Sequence, residues 1–96
     1  MLGLIINAIR QKQILAFSYD GLDRIVEPHA VGISRAGNEV LRCFQTHGGH
    51  VNPNHDWDLC ELSKMVGLRI TGASFQLPRP GYKRGDKGMQ RIYEEL

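Results

Sequence analysis

Leu2, Ile5, Ile6 and Ile9 recur at the i, i+3, i+4, i+7 spacing of one helical face, with Asn7, Arg10 and Gln11 opposite. That period predicts an amphipathic opening helix. From Gln13 the period drops to two: Leu15, Phe17 and Tyr19 alternate with Ala16 and Ser18 until Asp20-Gly21, a strong turn dipeptide, so a strand runs into a hairpin loop over Asp20 to Asp23. The chain returns through Arg24-Ile25-Val26-Glu27 to Pro28, which cannot donate to a central ladder and marks a bend or a sheet edge. Ala30 to Ser34 reads as its continuation. After a turn at Arg35 to Asn38, EVLRCFQT alternates again, with Val40, Arg42 and Phe44 on one face and Leu41, Cys43 and Gln45 on the other.

His47 to Asp56 (HGGHVNPNHD) is rich in turn-forming and polar residues and reads as a mobile loop. Trp57 to Leu62 and Gly67 to Thr71 return to strand-like patterning, followed by Phe75 as a last core anchor. QLPRPGYKRGDKG then predicts an extended surface run. Asp86 caps a short terminal helix, MQRIYEEL, in which Met89, Ile92, Tyr93 and Leu96 share a face. The order is a helix, four or five short strands, a tail and a short helix. The expected fold class is α+β: a small, strongly bent antiparallel sheet or partial barrel with an N-terminal amphipathic helix and a short C-terminal helix. Residues 1–78 form the domain, and 79–96 are an appended tail.

At 96 residues and 10.8 kDa, with 42% hydrophobic and 23% charged positions, the chain suits one small domain with a thin core. No apolar run approaches the roughly 18 to 20 residues of a membrane span, and the N-terminus lacks the pattern of a secretory signal. The expected address is the cytoplasm. Cys43 and Cys60 lie in apolar stretches and read as buried free thiols, with a Cys/His nucleophile pair or metal site as the alternative. Twelve Lys and Arg against ten Asp and Glu give +2, too little for a constitutive nucleic-acid coat.

The residues resemble the WYL domain, a small Sm-like or SH3-like barrel found mainly in bacterial and phage proteins. The likeness covers most of the chain: Ala8-Ile9 in the opening helix, LAFSY (Leu15 to Tyr19), RIVEP (Arg24 to Pro28), Leu41-Arg42, WDLCELSKM (Trp57 to Met65), and Phe75 where the family closes its barrel. At the tripeptide that names the family this chain reads Glu39-Val40-Leu41, and Glu61 stands where the family carries an arginine. The resemblance implies an SH3-like (Sm-like) partial barrel and a regulatory role in sensing nucleic acid or a nucleotide-like ligand. WYL proteins typically add a helix-turn-helix, and the expectation here is a single-domain member without one, acting by sequestration or through a partner in a phage or bacterial defence setting.

Several residues are candidates for such a ligand. Arg24 opens the second strand, and Arg42 shares a face with Val40 and Phe44, where a charge is costly unless paired or near an edge. Each can fork onto a phosphate or carboxylate; the alternatives are ion pairs with Glu27, Glu39 or Glu61, or plain solvation. Tyr19 either finishes the core or stacks on a base, and Trp57 is either a barrel-end plug or an aromatic platform. His29 can bond a ligand or a backbone carbonyl. Between Arg79 and Arg91 the chain holds five cations against Asp86, a local +4 that exceeds the whole-chain charge. With Tyr82 interleaved, Arg79, Lys83 and Arg84 form a candidate clasp for an anionic ligand, the alternatives being a solvated tail and a self-association arm.

His47, His50 and His55 with Asp56 and Asp58 match no strong metal motif, and no P-loop or hydrolase signature is present. The sequence therefore points to a non-catalytic module without a cofactor. Its expected partner is a nucleotide-like small molecule or single-stranded nucleic acid, with a protein partner or a homo-oligomer as the rival reading.

Overall fold

The computed structural model describes residues 1–48 and 56–96. They form one helix, α1 (Leu2–Gln11), and six strands: β1 (Gln13–Tyr19), β2 (Leu22–Ser34), β3 (Glu39–Gly48), β4 (Trp57–Glu61), β5 (Val66–Ser74) and β6 (Met89–Glu95), with a 3-10 turn at Leu62–Lys64. The architecture is a small antiparallel sheet with one helix, in the order β4-β3-β2-β1-β5, and β6 pairs with β2 off that path. The sheet is not closed. No described helix is long and apolar enough to cross a membrane.

α1 buries Ile5, Ala8 and Ile9 against the sheet. Lys12 ends it in the left-handed conformation (φ 53°), its N–H returning to the Ala8 and Ile9 carbonyls. The main core joins these residues to Leu15, Phe17, Val26, Val31, Leu41 and Cys43. Each fully buried large aliphatic or aromatic side chain there contributes about 1.5–3 kcal/mol. Asp20 and Gly21 both have positive φ and pair Tyr19 with Leu22, so the hairpin loop is only these two residues, tighter than the expected Asp20 to Asp23.

β2 passes straight through Pro28. Its β1 partners end at Val26 and its β6 partners begin at Ala30, so the residue without an N–H sits where one neighbour gives way to the other. At the same place the β3 register jumps from Pro28↔Cys43 to Ala30↔Arg42, leaving His29 as an inserted bulge residue. The bulge flips the alternation of β2. Val26 and Val31, which strict alternation would send to opposite faces, both enter the main core.

The expected terminal helix is not formed. Residues 89–95 are β6, bonded to the Ala30–Ser34 stretch of β2. A helix this short has little stability alone, whereas β2 offers an unpaired row of backbone groups. The four apolar residues then divide: Met89 and Ile92 join Ala30 and Val40 in a second small cluster, while Tyr93 and Leu96 pack on the main one. Asp86 is accordingly no helix cap; its carboxylate accepts from Arg42 and from the Gly88 N–H.

Candidate functional site

With β6 in the sheet, residues 79–88 cannot hang free; they form a strap pinned to the sheet at both ends. At its start, the Arg79 guanidinium grips Glu27 through Nε (2.7 Å) and Nη2 (3.1 Å), and lies over the Phe44 ring at 4.6 Å. The Arg79 N–H also donates to His29 Nε2 at 3.0 Å. At its end, Arg42 donates through Nε (2.7 Å) and Nη2 (3.2 Å) to Asp86, whose carboxyl this pairing holds below its ordinary value. Arg35 donates to the Lys87 carbonyl, and Gly85 N–H to Glu95.

Between the strap and the β3–β4 surface lies a groove of about 390 Å³, floored by Arg42 and Trp57 and walled by residues 81–87. That volume is on the scale of pockets that hold small ligands, roughly 300–1,000 Å³. Its lining carries Arg42, Lys83, Arg84 and Lys87 against Asp86, four cations to one carboxylate. Arg42 is occupied by Asp86, and Arg84 lies 3.3 Å from Glu95. Lys83 and Lys87 are exposed and make no ion pair among the described residues. The Trp57 and Tyr82 rings stand nearly parallel, 22° apart in plane and 6.3 Å between centroids, an aromatic wall beside the cations.

Of the residues nominated from sequence, Arg42, Trp57, Tyr82, Lys83 and Arg84 come together at this groove. His29 lies directly behind it, fully buried, edge-on to Trp57 (4.7 Å) and Tyr82 (5.0 Å) and stacked on Phe75 (5.7 Å). Arg79 anchors the strap. Tyr19 and Arg24 belong elsewhere: Arg24 is buried, its guanidinium 4.9 Å from the Tyr19 ring and within ion-pair reach of Asp58 and Asp20, and Tyr19 Oη accepts the Glu61 N–H. They tie β1 and β2 to β4, away from the groove. The ion pairs therefore differ from those expected, since Arg42 takes Asp86 and Arg24 takes aspartates rather than Glu27, Glu39 or Glu61.

Sequence reading missed Asp86 and Lys87 as groove residues. The signal was the single negative charge in a basic run, which wants a cation across the fold, but only the course of the strap shows which one. Cys43 and Cys60 are free and buried in the core; hydrogen bonding to Cys60 and burial push the Cys43 thiol well above its ordinary value. The loop expected over His47 to Asp56 falls largely outside the described residues, His50 and His55 with it; among the described residues no cluster of three or more metal-ligating side chains occurs.

No protein-family model, curated protein or solved structure matches this chain.

Proposed function

We propose that the groove binds a phosphate-bearing ligand of about one nucleotide in size, and that the chain is a non-catalytic, WYL-like binding module acting by sequestration or through a partner. The observation that carries this reading is the convergence of Lys83 and Lys87, unpaired among the described residues, with the Trp57 and Tyr82 rings in one groove of about 390 Å³. Lysine ammonium groups supply charge-assisted bonds to phosphate oxygens, and aromatic faces take a base with little regard to its identity. The helix followed by strands in the order β4-β3-β2-β1-β5, with a 3-10 turn before β5, supports an Sm-like or SH3-like partial barrel as the scaffold.

Titration with cyclic and linear mononucleotides and with short single-stranded oligonucleotides, at low and moderate salt, tests the reading through the fluorescence of Trp57, the chain's one tryptophan. Salt-sensitive quenching is expected, weakened about tenfold or more in Lys83→Ala/Lys87→Ala. Absence of binding by every probe at low salt rejects it. A mononucleotide that binds as well as an oligonucleotide assigns the groove to a small signal rather than to a polymer.

Association of copies is a second reading, and it draws on β5 rather than on the strap. β5 ends the sheet and exposes Val66 (68%) and Ile70 (40%), an apolar edge of the kind that pairs with another chain. Val66→Lys/Ile70→Lys is expected to convert an oligomer to a monomer by solution mass; a mass equal to one chain before substitution removes this reading.

A further inference from the structure

The strap that walls the groove is joined to the sheet through a histidine whose two ring nitrogens are both in use. The bulge in β2 presents His29 inward, where Nδ1 lies 2.8 Å from the Glu27 carbonyl oxygen and Nε2 lies 3.0 Å from the Arg79 amide nitrogen. A carbonyl can only accept and an amide N–H can only donate, so one neutral tautomer satisfies both: Nδ1–H donating, Nε2 accepting. A proton added at Nε2 sets two N–H groups against each other and strands the Arg79 amide. The same ring supports Trp57 and Tyr82 from behind. Loss of its position therefore disturbs the anchor of the strap and both aromatic walls together.

The groups around the ring offer an imidazolium little compensation. Glu27 on the same strand is clamped by Arg79 of the strap, so the nearest carboxylate and the nearest cation largely cancel. β4 contributes uncharged Trp57, and Phe75 closes the stacked face. From the strap comes the Tyr82 phenol, whose pKa burial raises and whose Oη lies 3.4 Å from the backbone oxygens of His29 and Leu96.

We propose that His29 is a proton-operated latch: neutral, it holds residues 79–88 against the sheet and keeps the groove formed; protonated, it releases the strap and with it the bound phosphate ligand. The ligand half of this inference rests on the nucleotide reading of the groove, while the latch stands on the hydrogen bonds alone. Burial lowers the His29 pKa from its ordinary 6.5, with the Glu27 carbonyl opposing. In the released state the ring regains solvent and titrates nearer 6.5, so the open form takes up the proton first. Closure is thus fully favoured above that value and is lost as pH falls below it, by about tenfold in the closing constant per pH unit until the lowered value is reached.

Amide hydrogen exchange of the full chain from about pH 8 to about pH 5, expressed as protection factors, reads the latch directly. The Arg79 amide is expected to lose protection about tenfold per unit below pH 6.5, while the β1 amides paired with β2 keep theirs and Trp57 emission shifts to the red. In His29→Gln, which can still donate and accept but does not titrate, the pH dependence should vanish; if that variant does not fold, the wild-type protection factors decide. Arg79 protection that is constant as His29 titrates, or that falls in step with β1, overturns the latch. Cyclic AMP, a phosphodiester of constant charge over this range, separates the two readings. Failure to bind at about pH 8 rejects the nucleotide groove and leaves the exchange result standing, whereas equal affinity at about pH 5 and 8 overturns the latch.

Discussion

Gly32→Ala is expected to cost about 2–4 kcal/mol and to detach β6, although it adds a single methyl group. A Cβ at this position would overlap the Arg91 carbonyl oxygen and stand 2.9 Å from Ile92 Cα. Both are backbone atoms, so no side-chain rotation relieves the overlap; the strands must part. Their parting removes the Ala30–Ser34 pairing with β6 and exposes the Met89 and Ile92 cluster. The strap then loses the end that holds Asp86 under Arg42. A urea midpoint well below wild type, with Trp57 emission shifted to the red, checks this. An unchanged midpoint would show that β6 does not lie against β2.

Arg42→Ala should be nearly as damaging for a different reason. Asp86 is only 9% exposed at its side chain, and without the guanidinium its carboxylate keeps, among the described residues, just the Gly88 N–H. A buried charge left with one partner costs about 2–3 kcal/mol. The double variant Arg42→Ala/Asp86→Ala removes the stranded charge as well, so it should be less destabilised than the sum of the two single variants, by about 1–2 kcal/mol in a double-mutant cycle. Additive losses would mean that the pair is not coupled. The wild-type pair also has a pH signature. Arg42 chiefly, then the Gly88 N–H, holds the Asp86 carboxyl below its ordinary 3.8 against the opposing effect of burial. Its contribution is therefore complete above that value and is lost as pH falls through the lowered one.

Gly32 and Arg42 also mark the limits of what could be read from sequence. The opening helix, the Asp-Gly hairpin and the alternation of β1 and β3 were legible because each is set by residues close in the chain: a 3.6-residue period, two positions of positive φ, a two-residue period. The helical spacing of Met89, Ile92, Tyr93 and Leu96 was equally clear and misleading. A short run with that spacing fits a strand once a partner is beside it, and the partner is β2, more than fifty residues earlier. The same distance hid the ion pairs. Arg42 and Asp86 are 44 positions apart and Glu27 and Arg79 are 52, and no local pattern distinguishes these partners from the other carboxylates of the chain.

By itself the sequence determined a small α+β chain with an apolar helix face, alternating strands, a basic run near its end and a short set of arginine, lysine and aromatic candidates. Local periodicity and composition suffice for that. Only the tertiary structure decided that the basic run is a strap rather than a free tail, that Tyr19 and Arg24 serve the sheet while Trp57, Tyr82, Lys83 and Lys87 face one groove, and that His29 joins strap and sheet. Those outcomes depend on which distant backbone groups and charges meet. A one-residue bulge at His29 and a glycine at position 32 settle that meeting through strand register and close approach, which neither residue type announces in the chain.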